Sequence, residues 1–207
     1  MTNRRQVLQV ASVALTGALS AYALAQEEFP NHPVTMLVPF PPGGVADTVG
    51  RPVAEAMGRA LKQSMIVENK GGAGGGIGMA QVAKSKPDGY SVLMSLSSIV
   101  VLPEADKVLK RAPMFTLDQL RPVARFTADP TALVVRADSP WKTYADFIAA
   151  AKAKPGTITF GSSGNYGTMH VPMEQLKAAT NTFMLHVPYT GAGPAVLGDA
   201  GIGTLAD

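Results

Sequence analysis

Glycines and hydroxyl-bearing residues gather in four short stretches of this chain, each following an apolar run. The first is Pro39-Phe40-Pro41-Pro42-Gly43-Gly44, with Asp47 three residues on. The others are Ser95-Leu96-Ser97-Ser98, then Gly161-Ser162-Ser163-Gly164-Asn165-Tyr166-Gly167-Thr168, and Pro188-Tyr189-Thr190-Gly191-Ala192-Gly193-Pro194. Glycine lets a ligand come close to backbone N–H groups, and hydroxyls add donors and acceptors. Where such a loop opens a helix, the first turn leaves N–H groups without partners. The helix dipole adds about half a positive charge there, which suits a carboxylate or a phosphate. The chemistry these stretches offer is capture of a small anion, with no bond made or broken.

Covalent chemistry is the alternative: a secreted serine hydrolase using Ser162 or Ser163. The nucleophile-elbow pattern G-x-S-x-G fails here, because Asn165 stands where the second glycine is needed. His170 and His186 are available as bases, but their spacing places neither against a serine. Ser139-Pro140-Trp141-Lys142 matches S-x-x-K without the partner motifs of that class, and reads as a helix-entry turn. The run Gly71-Gly72-Ala73-Gly74-Gly75-Gly76-Ile77-Gly78 lacks G-x-G-x-x-G and any Gly-Lys-Ser/Thr, so it reads as a mobile glycine turn rather than a nucleotide loop. Three scattered histidines and no cysteine offer no metal site, no thiolate and no disulfide. No cofactor is expected.

The elements that must position these loops alternate. Val34-Thr35-Met36-Leu37-Val38 reads as a strand, and Val49, Val53, Met57 and Leu61 at helical spacing give a helix over about 47–62. Pro52 is acceptable if it lies in the first turn. Further strands are expected at 65–67, 90–94, 120–126, 131–135, 157–160 and 185–187. Further helices are expected at 79–84, 104–109, 144–154 and 170–179, the third opened by a capping box from Thr143 to Asp146. Strand–helix alternation argues for parallel α/β sheets, whose ligands sit beyond the carboxyl ends of the strands. All four loops lie at such ends.

The first 25 of the 207 residues are set apart. Arg4-Arg5 precedes an apolar run over 7–24 that closes on Ala23-Leu24-Ala25, the pattern of a cleavable secretory signal. The paired arginines also fit twin-arginine export. The net charge of +3 includes those two arginines, and no basic run supports nucleic-acid binding. With seven Phe, five Tyr and one Trp, the core must be largely aliphatic.

Several segments, in order, resemble the Bug (TctC-type) family of periplasmic solute-binding receptors of tripartite tricarboxylate transporters. They are Val38-Pro39-Phe40-Pro41-Pro42-Gly43-Gly44 with Asp47, Val67-Glu68-Asn69-Lys70 with Gly72-Ala73-Gly74-Gly75, and Lys86-Pro87-Asp88-Gly89-Tyr90. Ala151-Lys152, Phe160-Gly161-Ser162-Ser163-Gly164 and His186-Val187-Pro188-Tyr189-Thr190-Gly191-Ala192-Gly193-Pro194 follow. The resemblance spans about residues 28–197. It implies a type II periplasmic-binding-protein-like α/β architecture. A first lobe over 26–125 and a second over 126–207 would close on a small carboxylate and hand it to membrane-embedded permease subunits. The ligand-binding residues it implies are Phe40, Gly43, Gly44, Asp47, Ser95, Ser97, Ser162, Ser163, Gly164, Thr168, Tyr189 and Gly191. The family's chains are longer and return from the second lobe to the first. Here residues 197–207, poor in helix formers, stand where a helix and strand are expected. The reading is of a C-terminally truncated chain, its lobes exposing apolar surface and unpaired edges, which leaves open a copy without function.

Overall fold

The computed structural model describes residues 29–128, 130–198 and 202–206, so the export signal read at 1–25 lies outside the described residues. The run Val34–Val38 becomes strand β1, buried almost throughout, as a parallel strand with neighbours on both sides must be. It is the centre of a three-stranded parallel sheet, with β2 (Met65–Asn69) on one side and β3 (Ser91–Leu93) on the other. Parallel neighbours need crossovers, and helices α1 (Val45–Leu61) and α2 (Gly76–Ala83) supply them. The crossovers leave β1 on one side and return to β3 on the other. The order β2-β1-β3 therefore has its switch point at the carboxyl ends of β1 and β3.

α1 begins two residues before its expected start, with Gly44 as the N-cap in extended backbone. Pro52 consequently lies inside the helix rather than in its first turn. It is tolerated because Pro52 and Thr48, whose carbonyl loses its helical partner, are both exposed to water. Gly50 lets the helix lie close on the sheet: a Cβ there would sit 3.3 Å from Met94 and 3.4 Å from Val38. Met36, Val38, Phe40, Met79, Met94, Leu102 and Phe115 form the first core.

Helix α3 (Ser98–Val108) follows β3 and starts well before the helix expected at 104–109. The connecting strand expected at 120–126 is absent: that segment is irregular and exposed, pairing with no strand, with Val123 92% and Phe126 54% exposed. The second sheet has the order β4-β7-β5-β6, from β4 (Thr131–Val135), β5 (Thr159–Ser162), β6 (Leu185–Pro188) and β7 (Ile202–Ala206). β5 runs parallel to β6 and β7, and β4 is antiparallel to β7. Helices α4 (Tyr144–Ala153), α5 (His170–Thr180) and α6 (Ala192–Leu197) complete this half. The capping box at Thr143 and Asp146 forms as expected. Phe147, Ile158, Phe160, Met173 and Met184 make the second core.

The tail departs from its reading. The strand thought to be replaced there is present: Ile202–Ala206 lies in the middle of the second sheet. Its weak helix propensity was the informative property, since Ile, Thr and Leu with small neighbours suit an extended strand. No helix among the described residues is long and apolar enough to cross a membrane.

Candidate functional site

At the carboxyl end of β1, Gly43 turns the chain with φ +82° and donates its N–H to Asp47 Oδ2 at 2.9 Å. Asp47 is only 4% exposed, and its carboxylate is fully engaged. It also accepts Asn69 Nδ2 at 2.8 Å and Arg51 Nε at 3.0 Å, and pairs with the second Arg51 nitrogen at 2.9 Å. Asn69 Nδ2 reaches on to the Phe40 carbonyl at 3.1 Å. Burial pushes the Asp47 carboxyl up, but the bonds from Arg51, Gly43 and Asn69 and the Arg51 charge outweigh it and hold it below its ordinary value. Asp47 is therefore the anchor of the turn, tying β1 to β2, and its oxygens face its own loop. The Gly44 carbonyl accepts the Asp47 and Thr48 N–H groups at 2.9 Å each. The N–H groups of Gly44, Val45 and Ala46 have no backbone acceptor among the described residues.

Past β3, Ser95 Oγ donates to the Leu96 carbonyl at 3.2 Å, and Leu96 turns inward. Ser97 Oγ meets Thr168 Oγ1 from the other half at 3.4 Å. The Ser98 hydroxyl is buried with no hydrogen-bond partner among the described residues.

At the end of β5, Ser162 is wholly buried. Its Oγ accepts the Gly164 N–H at 3.1 Å, lies 3.1 Å from the Gly164 carbonyl, and meets His186 Nε2 at 2.6 Å. Ser163 is 5% exposed, and its hydroxyl makes no hydrogen bond among the described residues. Tyr166 has φ +59°, a left-handed conformation costly for a bulky residue. Its N–H donates to His170 Nδ1 at 3.0 Å, its ring packs on the first core, and the Arg111 guanidinium lies 5.9 Å above that ring. Past β6, the Tyr189 N–H donates to the Ser162 carbonyl at 2.9 Å, while the Tyr189 ring lies against Gly161 and Gly198. Gly191 is in extended backbone, φ −179°, pressed on Pro41.

These loops meet at one narrow cleft of about 20 Å³, lined by Phe40, Pro41, Pro42, Gly44, Val45, Ala46 and Leu96 from one half. Ser163, Thr168, Met169, Ala192 and Gly193 line it from the other. Of the residues expected at the site, Phe40, Gly44, Ser163 and Thr168 thus share one cavity. Gly43, Asp47, Ser162 and Gly164 shape the loops from beneath, and Ser97 bridges the halves at Thr168. Ser95, Tyr189 and Gly191 stand beside the cleft without lining it. Pro41, Pro42, Val45, Ala46, Leu96, Met169, Ala192 and Gly193 line the cleft and were not among the twelve expected residues. Each is apolar and contributes surface or main chain, which side-chain chemistry does not announce.

The glycine run read as a mobile turn is instead packed between the halves. A Cβ on Gly74 (φ +65°) would lie 2.8 Å from the Asn165 carbonyl oxygen, and one on Gly164 (φ +123°) 2.9 Å from the Gly74 nitrogen. Ser162 and His186 are within proton-transfer distance, yet the hydroxyl is sealed from solvent, and the other nitrogen of His186 bonds to no carboxylate among the described residues. The arrangement can hold an anion by main-chain N–H groups and hydroxyls. It does not present a nucleophile.

Residues 49–202 match the model described as Tripartite tricarboxylate transporter family receptor, TctC. The UPF0065 protein in the TAR-I ttuE-ttuC' intergenic region of Agrobacterium vitis is 38% identical over 186 residues, which are 89% of this chain and 53% of that protein. A solved structure of a periplasmic transporter superposes with a TM-score of 0.80 at 34% identity, covering 86% of this chain and 60% of that one. MatC from Rhodopseudomonas palustris with bound malate gives 0.71 at 27% identity, covering 81% and 56%. The chain spans little more than half the length of these relatives.

Two outcomes are expected. Gly191→Ala meets no backbone strain, but its Cβ would lie 2.7 Å from the Pro41 ring. It should wedge the halves apart, enlarging the radius of gyration in small-angle scattering and lowering stability by about 1–3 kcal/mol. Burial, then the neighbouring His170, then Lys177 push His186 down to about 4, against a partial lift from Glu174, and burial likewise lowers His170. Both rings are neutral in the fold, whereas unfolded imidazoles titrate near 6.5. The unfolded chain binds more protons in that window, so stability present above pH 6.5 should fall as pH drops towards 4, measured by urea melts.

Proposed function

The chain belongs to the tripartite tricarboxylate transporter receptor family, a family of solute-binding receptors rather than enzymes, and from that membership we propose that it captures a small carboxylate for a membrane-embedded permease. The proposal includes export to the periplasm, with removal of residues 1–25 by the Sec or twin-arginine route. It divides the chain into two lobes near Arg125, and takes the twelve residues implied by the family resemblance as the binding set or its support.

One observation carries the reading: a single cleft at the carboxyl ends of β1, β3, β5 and β6, walled from both halves. On one wall the first turn of α1 offers the N–H groups of Gly44, Val45 and Ala46. On the other, the Ser163 hydroxyl is nine-tenths buried and without a partner among the described residues. No arginine or lysine lines the cavity, so a carboxylate there is recognised by dipoles.

Magnitudes set what is needed. Micromolar affinity requires about 8 kcal/mol. One helix end supplies roughly 0.3–1 kcal/mol. Hydrogen bonds to a charged group supply about 1.5–3 kcal/mol each, so three or four must converge, and the three α1 N–H groups reach four with the Ser163 hydroxyl of the facing half. The bound state is consequently the closed one.

The test is a thermal-shift panel of malate, adipate, citrate and glutamate. An acid at about a hundred times its dissociation constant adds roughly 2.7 kcal/mol, a rise of roughly 5–10 °C for a chain of this size. Ser163→Ala should weaken the responding acid by about tenfold or more, one charge-assisted hydrogen bond. A panel in which no carboxylate moves the melting temperature overturns the proposal.

A further inference from the structure

The loop over 163–165, which brings Ser163 to the cleft, is pinned at each end by a histidine. At its start, His186 Nε2 lies 2.6 Å from Ser162 Oγ, the atom that also accepts the Gly164 N–H. At its end, His170 Nδ1 accepts the Tyr166 N–H at 3.0 Å. The two imidazoles stack on each other, centroids 4.0 Å apart with 23° between planes, and His186 stacks in turn on Phe160 at 4.9 Å. One rigid block of rings therefore sets both ends of the loop. The residue it holds at the far end, Tyr166, is the strained one and the one whose ring packs into the opposite half.

We propose that His170 and His186 are positioning residues for ligand capture, their stacked rings clamping the loop between Ser162 and Tyr166 in the shape that closes the cleft. The proposal rests on the carboxylate-receptor reading above.

His170 is the sensitive member. Its Nδ1 can accept the Tyr166 N–H only while unprotonated; with a proton there, two donors face each other and the left-handed Tyr166 loses its tether. His186 is a donor or an acceptor towards Ser162, and in either role it orients the hydroxyl. Charging both stacked rings at 4.0 Å sets like charges face to face. The other charged groups around the pair are accounted for. Glu174 Oε1 lies 3.5 Å from His170 Nε2, and Lys177 is spent on that carboxylate at 2.8 Å while its ammonium also stands 5.6 Å over Phe160. From the facing half, Arg111 lies over Tyr166. Only Glu174 favours a proton on the pair; burial, Lys177 and the second ring oppose it. The clamp is thus set at neutral pH and released by acid.

Three variants of the full chain test this by hydrogen exchange and by binding of malate or of whichever panel acid responds. His170→Phe keeps the stack and removes the acceptor. The Tyr166 amide should lose its protection at pH 7, and the dissociation constant should rise about tenfold, since a loop only fractionally in the competent shape lowers apparent affinity by that fraction. His170→Asn, whose side-chain oxygen can stand near the Nδ1 position, should rescue amide protection and flatten the fall of affinity between pH 6.5 and 4.5. Ser162→Ala should unprotect the Gly164 amide and leave that of Tyr166 intact. Loss of Tyr166 protection in His170→Phe with no acid binding to any form supports the clamp while the receptor reading fails. Unchanged Tyr166 protection in His170→Phe at pH 7 overturns the clamp.

Discussion

The two halves of this molecule approach most closely through glycine main chain. Gly74 stands so near Asn165 and Gly164 that a side chain on either glycine would intrude on the opposing backbone, and a side chain on Gly191 would intrude on the Pro41 ring. Long side chains could bridge a wide gap, but they would hold it loosely and lose rotamer freedom in doing so. Backbone on backbone fixes the separation instead. The cleft walls face one another at a distance set by glycine. Inside a space so narrow, water is scarce, and each hydrogen bond to a charge is stronger than it would be at an open surface.

That geometry explains the handling of charge. An anion at the first turn of α1 would meet repulsion from a free carboxylate three residues in, yet Asp47 is there. Arg51 neutralises it at 2.9 Å, and Asn69 and Gly43 take up its remaining lone pairs, so it shapes the turn without opposing an anion. The same carboxylate leaves the neighbouring Gly44, Val45 and Ala46 N–H groups unspent. Positive character at the site comes from dipoles that cost no reorganisation, while Arg51 is occupied with support.

Much of this was legible in residue order. Apolar runs ending in glycine and hydroxyl clusters marked strand ends, and strand ends of parallel sheets are where ligands sit, so the loops over 39–44 and 161–168 could be marked before any coordinates, while the family resemblance supplied Phe40, Gly44, Ser163 and Thr168 within them. Three things were not legible, for physical reasons. The glycine run at 71–76 has no side chains to declare its purpose, and its packing against 164–167 is a contact between segments about ninety residues apart in sequence. The segment at 120–126 alternates enough to look extended, but a strand needs an edge to pair with, and no local pattern supplies one. Ile202–Ala206 was judged by its helix propensity, whereas its pairing with β4 and β5 decides its state.

The serine–histidine contact shows why proximity does not make a catalyst. A hydrolase needs its hydroxyl at the surface of a cavity, a base that takes the proton, a group behind the base to hold its tautomer, and donors aimed at a developing oxyanion. Ser162 has the base at 2.6 Å and lacks the rest: its oxygen lies beneath the loop, turned to Gly164 and sealed from any substrate. Ser163, one residue on, faces the cleft but has no base. Ser162 ends β5 and Ser163 begins the loop beyond it, so the strand end divides the two requirements of a nucleophile between neighbouring serines, one for structure and one for contact. A site that must release its ligand unaltered is well served by that division, since the hydroxyl it exposes is the one with nothing to activate it.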